Sequence, residues 1–237
     1  MASIVLVHGA WGGSYGFRLL RPLLTAAGHD VFTPSLTGIG ERSHLAGPEI
    51  TLSTHIQDVR NTIFYEDLDN ITLVGFSYGG MVVTGLLDVL AAEDRTITNL
   101  VYLDALVPAD GQTAQQVIGP ISESLMDSPD DWRVKPLPRL LATPEATAWS
   151  DARRVPQPAG TLIEPVQLSK PLEDWPFTRT FIKASADSNE ADDSAFWNAA
   201  RHADASPAWG YHEIATNHMV PSMEPQALAD MLLSIVD

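Results

Sequence analysis

Short runs of apolar and β-branched residues alternate along the chain with longer stretches in which apolar positions recur every three or four residues. The first kind suits strands in a buried sheet, and the second suits helices packed by one face. Strands are predicted near Ile4 to Val7, Asp30 to Pro34, Ile71 to Phe76, Asn99 to Asp104, Thr180 to Ser185 and Trp209 to Ile214. Helices fill the gaps. After Ser14, the side chains of Phe17, Leu20 and Leu24 share a face, and Gly28 supplies a permissive stop. Ile56, Val59 and Ile63 repeat the spacing; Met81 to Ala92 has the apolar character of a buried helix. The last helix, Pro225 to Val236, turns Leu228, Met231, Leu232 and Ile235 inward. Strand-helix alternation of this kind predicts an α/β fold, a mostly parallel sheet of about six strands flanked by helices.

Between Pro108 and Trp175 the periodicity fails, and prolines stand at 120, 129, 136, 138, 144, 156, 158, 165 and 171 among helical fragments such as Pro144 to Ala152. The chain after Trp175 offers only two strands and two helices, too little for a second core. A single domain over 1–237 is therefore expected, with a lid insertion at about 108–175 after the strand that neighbours the nucleophile.

Charge narrows the partners. With Lys+Arg 14 against Asp+Glu 30, the formal charge of -16 repels phosphate backbones and anionic lipid. Nucleic acid and membrane are not expected partners, and nothing in the chain indicates an oligomeric state. With Cys 0, chemistry must rest on oxygen and nitrogen groups. The apolar run Ile4 to Val7 is too short for a signal h-region, and no later stretch has transmembrane length, so a cytoplasmic location is expected.

The pattern Gly-x-Ser-x-Gly occurs at Gly75-Phe76-Ser77-Tyr78-Gly79 and again at Gly12-Gly13-Ser14-Tyr15-Gly16. Context separates them. A nucleophile elbow needs a strand leading straight into the serine and a helix leading straight out, because the sharp turn lifts the hydroxyl above the sheet. Ser77 has Ile71-Thr72-Leu73-Val74 before it and Gly80-Met81-Val82-Val83 after it; Ser14 lies well past its strand and is expected to cap a helix.

Among 7 His, only His218 lies on a loop between the last strand and the last helix, where a general base for Ser77 belongs. His212 falls inside a strand, and His29, His44, His55 and His202 sit at helix edges or loops, where solvated side chains are usual. The orienting acid is expected at Asp187, directly after the Phe181 to Ser185 run, ahead of Asp104, which ends the Leu100-Val101-Tyr102-Leu103 run. Two N–H donors for a tetrahedral oxyanion are expected from Tyr78, after the serine, and from Ala10, after the His8-Gly9 turn, where His8 itself is expected to be structural.

With these residues in place the chain resembles the plant methylesterase and hydroxynitrile lyase family of α/β-hydrolases and its bacterial esterase relatives. The resemblance rests on Val5-Leu6-Val7-His8-Gly9-Ala10-Trp11, Arg21 to His29, Leu73 to Met81, Phe181 to Asp187 and Asn217-His218-Met219. It implies an α/β-hydrolase fold with a lid and a triad of Ser77, Asp187 and His218. Lyase members carry threonine where this chain has Gly9, and lysine where it has Met219, so the resemblance implies ester hydrolysis over cyanohydrin cleavage. Phe76 departs from the family, which usually has histidine there.

The expected activity is a serine esterase acting on a small, fairly apolar ester through an acyl-enzyme, without cofactor or metal, since the chain has no H-E-x-x-H helix and no phosphate-loop lysine. Trp11, Phe76, Leu106, Trp149 and Met219 are candidates to line an apolar pocket. A lactonase, an amidase or a C-C bond hydrolase would use the same triad, and a small-molecule receptor on a hydrolase scaffold is the non-enzymatic alternative.

Overall fold

A computed structural model describes residues 1–119, 131–186 and 194–236 of the 237-residue chain. Its strands are β1 (Ser3–Val7), β2 (Asp30–Phe32), β3 (Ile71–Phe76), β4 (Ile97–Leu103), β5 (Arg133–Val134), β6 (Gln157–Pro158), β7 (Thr178–Ala184) and β8 (Gly210–Ile214). The α-helices are α1 (Arg21–Ala26), α2 (Leu52–Tyr65), α3 (Gly79–Gly85), α4 (Leu87–Ala92), α5 (Ala114–Ile118), α6 (Pro144–Asp151), α7 (Gly160–Ile163), α8 (Ala195–Ala205), α9 (Val220–Met223) and α10 (Pro225–Val236). Six strands form one sheet in the order β2-β1-β3-β4-β7-β8, every pair parallel. β5 and β6 form a separate antiparallel ladder.

The continuous apolar runs follow from burial on both faces of the sheet. Val5, Val7, Leu73, Leu100, Tyr102 and Phe181 face one side, against α2, α3, α4 and α8. Ile4, Leu6, Val74, Val101, Leu103 and Ile182 face the other, against α1 and α10. Cutting one such side chain to alanine costs about 2–5 kcal/mol. The alternation fixes strand register, and register sets which residues emerge together at the C-terminal edge.

The six predicted strands coincide with β1, β2, β3, β4, β7 and β8 to within a few residues. The helix expected over Met81 to Ala92 begins at Gly79 and is broken at Leu86 into α3 and α4. The helix expected after Ser14 is a 3-10 turn, Ser14–Phe17, followed by α1. Ser14 does not cap it: its hydroxyl donates to Glu41 Oε1 at 2.7 Å. Among the described residues, no helix is long and apolar enough to cross a membrane.

Candidate active site

The sheet's winding reverses between β1 and β3, since β1 passes to β2 on one side while β3 lies on the other. In open parallel sheets such a reversal opens a crevice at the strands' C-terminal ends. Val7 pairs with Gly75, so the segments that leave the sheet there, His8-Gly9-Ala10 and Phe76-Ser77, run side by side.

Ser77 has φ 55, in the left-handed region. Holding a non-glycine residue there costs about 1–3 kcal/mol, which the surroundings must over-determine. They do so through the backbone: the Ser77 N–H donates to Leu103 O at 3.2 Å, and its carbonyl accepts from Gly80 at 3.1 Å and Leu106 at 3.0 Å. The flanking glycines are a packing requirement. A Cβ on Gly75 would lie 2.7 Å from Val83 Cγ2, and one on Gly79 would lie 2.4 Å from Val7 O.

His218, on the loop after β8, brings Nε2 to 2.9 Å from Ser77 Oγ and Nδ1 to 2.6 Å from Asp104 Oδ2. The carboxylate fixes the tautomer. Nδ1–H donates to Asp104, leaving Nε2 to accept from the serine. The imidazole is flanked by Phe76 and Phe196, each with ring centroid 5.0 Å away. The acid seen against His218 is thus Asp104, the residue ranked behind Asp187; Asp187 lies outside the described residues. The reason is positional. Asp104 follows β4, the strand next to the nucleophile strand, and its own N–H donates to Ile182 O at 2.7 Å, which turns it toward the β8 loop.

Asp104 is fully buried, and both its oxygens are engaged. Oδ2 takes the imidazole, and Oδ1 takes the Lys183 ammonium at 2.9 Å and the Ala184 N–H at 3.3 Å. Burial by itself raises a carboxyl pKa, but here the His218 hydrogen bond and the nearby charges of His218 and Lys183 outweigh it and hold Asp104 below its ordinary value. Lys183 also donates to Ala184 O at 2.7 Å and lies 4.6 Å from the Trp197 ring centroid. Its place in the sequence carried a signal: a lone ammonium inside Phe181-Ile182-Lys183-Ala184 implies a buried anion across the sheet.

Two further histidines brace the site without facing the reacting atoms. His8 donates from Nδ1 to Gly9 O at 2.9 Å and accepts the Leu36 N–H at Nε2, 3.1 Å. Burial lowers its pKa to about 4, so the ring is neutral and pins the Gly9 turn. His55 was expected in solvent, but it is fully buried. It donates from Nε2 to Thr37 O at 2.8 Å and accepts the Tyr78 hydroxyl at Nδ1, 3.0 Å. Burial lowers His55 to about 3 and pushes the Tyr78 phenol up.

Gly9 passes so close to Ser77 that an added Cβ would lie 2.8 Å from Ser77 Cβ. The next amide, Ala10, and the Tyr78 amide have no acceptor among the described residues. Trp11, at φ 59, is held by the chain around β5 and β6: its N–H donates to Gln157 Oε1 at 2.9 Å, its indole N–H to Val134 O at 2.8 Å, and its carbonyl accepts from Val155 at 3.3 Å.

A pocket of about 710 Å³, counting its open mouth, lies over Ser77 and His218. Trp11, Phe76, Trp149 and Met219 line it, and the chain between β5 and β6 adds Arg139, Leu141, Ser150 and Arg154. Leu106 does not line it. That side chain is buried in the core, and its contribution to the site is the backbone N–H donated to Ser77 O. Among the described residues no group of three or more His, Asp or Glu side chains is arranged to hold a metal ion.

Sequence comparison matches residues 4–231 to the Alpha/beta hydrolase family. A carbendazim hydrolyzing esterase from Nocardioides sp. (strain SG-4G) is 36% identical over 250 residues, covering 99% of this chain and 100% of that protein. Methylesterase 8 of Arabidopsis thaliana is 22% identical, covering 98% of this chain and 89% of the relative. Among solved structures, an extracellular alpha/beta-hydrolase from a Paenibacillus species superposes with TM-score 0.84 at 21% identity, covering 99% of this chain and 98% of that one.

Proposed function

The chain belongs to the alpha/beta hydrolase family and is an esterase, and on that premise we propose that it cleaves a small, fairly apolar carboxylic ester through an acyl-enzyme on Ser77. The observation that carries this reading is the continuous path Ser77 Oγ to His218 Nε2 at 2.9 Å and His218 Nδ1 to Asp104 Oδ2 at 2.6 Å. His218 accepts the serine proton as Oγ attacks the ester carbonyl, and Asp104 stabilises the imidazolium that forms. The imidazolium then gives that proton to the leaving alkoxide. In the second half His218 takes a proton from water, the resulting hydroxide attacks the acyl carbon, and Ser77 leaves with the proton returned.

The Ala10 and Tyr78 amides are assigned the developing oxyanion. Both lie beside Ser77, both are without an internal acceptor, and each is braced by a neutral histidine, His8 through the Gly9 turn and His55 through the Tyr78 hydroxyl. Fixed donors of this kind need no reorganisation as charge appears, and losing one costs about 10²–10³ in kcat. The segment at about 108–175 is assigned the role of lid, on the strength of the pocket residues it contributes and its clamp on Trp11. The glycine at position 9 and the methionine at 219 agree with ester cleavage.

Labelling with a fluorophosphonate tests the assignment. A covalent mass increase on the wild-type chain and none on Ser77→Ala is the expected result. An unlabelled wild-type chain would overturn it.

A further inference from the structure

We propose that the pocket contains a carboxylate-recognition subsite formed by Arg139 and Arg154, so that the natural substrate is an otherwise apolar ester bearing one anionic group. This rests on the esterase reading and names the substrate class for that same site. Charge distribution carries the argument. The chain holds 30 Asp+Glu against 14 Lys+Arg, yet among the described residues no carboxylate lines the pocket while two guanidiniums do. Two more arginines stand at its edge, Arg18 and Arg153, at 4.3 Å and 3.9 Å from the ring centroid of the lining residue Trp149. Glu41 is the acidic neighbour at the opposite edge, behind Gly13, where the Ser14 and Ser35 hydroxyls hold it.

None of these four arginines pairs with a carboxylate among the described residues. Arg153 is capped by Trp149 O at 2.7 Å, and Arg154 donates to Leu137 O at 2.5 Å. A guanidinium has five N–H donors, so Arg154 and Arg139 retain forks that a carboxylate matches in bidentate fashion. Arg154 is half-buried, and burial together with the Arg139 charge disfavours its cationic form more than the nearby Tyr15 and Asp151 favour it. An anion between the two would relieve that repulsion. A single carboxylate is favoured over a multiply charged group because the net charge of -16 opposes each added negative charge on approach. The remaining lining, Trp11, Phe76, Leu141, Trp149 and Met219, suits an apolar body.

The test uses Ser77→Ala protein, which leaves esters intact, and the monomethyl and dimethyl esters of one benzenedicarboxylic acid, with calorimetry as the readout. The monoester is expected to bind at least about tenfold more tightly than the diester, as a charge-assisted bidentate contact implies. Adding Arg139→Met and Arg154→Met should bring that ratio below about twofold. Equal affinities, tighter diester binding, or a preference that survives both substitutions would overturn the proposal and leave the arginines a packing role against Trp11 and Trp149. If the combined variant does not fold, Arg139→Met alone decides: a ratio reduced at least about threefold supports the subsite, and an unchanged ratio removes it. Failure of the esterase reading is seen separately, as an inability of the wild-type chain to hydrolyse the dimethyl ester.

Discussion

The floor and the roof of the pocket are built to different standards. Ser77 and the Gly9 turn hang from the ends of β3 and β1, parallel strands whose side chains are almost wholly buried on both faces, and His218 follows the edge strand β8 and is held there by Asp104. The roof, residues 134 to 157, stands on a two-residue ladder, three hydrogen bonds to Trp11 and one from Asn217 Nδ2 to Leu140 O at 3.0 Å. Floor residues are fixed by register and close packing, so they have little room to shift. Roof residues are fixed at their two ends by buried Val134 and Gln157 and between them by fewer contacts, with exposed positions such as Leu140 and Arg153 where side chains change at little cost in stability. Chemistry belongs on the first kind of support and specificity on the second.

The largest effect expected from this division is at the nucleophile. Ser77→Ala should reduce kcat for a generic aryl ester by about 10⁴–10⁶-fold with the melting temperature little changed. A residual rate within tenfold of wild type would show that the floor does not carry the reaction.

Next comes the acid. Asp104→Asn should lose about 10⁴-fold in kcat, because an amide does not hold the imidazole in the required tautomer, and Asp187→Asn should lose less. The opposite order, measured on the same ester, would return the role to Asp187.

Gly9→Ala probes the floor's tolerance. A Cβ 2.8 Å from Ser77 Cβ must displace the nucleophile or the turn, and a shift approaching 1 Å costs about 10²-fold in kcat. Retention of full activity would show the floor to be softer than its packing indicates.

Acid titration of stability gives a milder and independent contrast. His8 and His55 are neutral when folded, with pKa lowered to about 4 and about 3 from 6.5. The unfolded chain therefore takes up protons first as pH falls below 6.5, and stability must decline through that window toward pH 4. For His8 the decline amounts to about 3 kcal/mol. Denaturant midpoints from pH 7 to pH 4.5 should show it, and His55→Gln should flatten the slope. A slope that His55→Gln leaves unaltered would place the acid sensitivity elsewhere.

The smallest effect is expected on the roof. Trp149→Ala should raise KM by about two- to tenfold and shift acyl-length preference while kcat changes little, the pattern of lost uniform binding. A large fall in kcat would mean that the roof takes part in the chemistry.

Much of this was legible in the sequence, and the residues show why. The inner strands announced themselves, because burial on both faces requires uninterrupted apolar runs such as Leu73-Val74 and Val101-Tyr102, while the edge strands β2 and β8 carry a weaker, interrupted apolar signal. Ser77 could be told from Ser14 for a local reason: strand, serine and helix are contiguous in the chain, so the elbow is written within nine residues. His218 followed from its place between the last strand and the last helix. Leu106 was misplaced because a single apolar residue after a strand looks alike whether it faces a pocket or the core.

The sequence by itself determined the local elements, the strand-to-helix turn that carries Ser77 and the loop position of His218, since each depends on neighbours in the chain. Only the tertiary structure brought Asp104 and Lys183 together, 79 positions apart, and set Asp104 beside His218, 114 positions away. It also buried His55 against Tyr78 and hung Trp11 on Val134 and Gln157. Those contacts depend on strand order and on the path of a long connection, and neither leaves a periodic trace in the residues that make them. A carboxylate after β4 and one after β7 look equivalent along the chain; the sheet order β3-β4-β7-β8 and the turn of Asp104 onto Ile182 O decide which of the described carboxylates meets the imidazole.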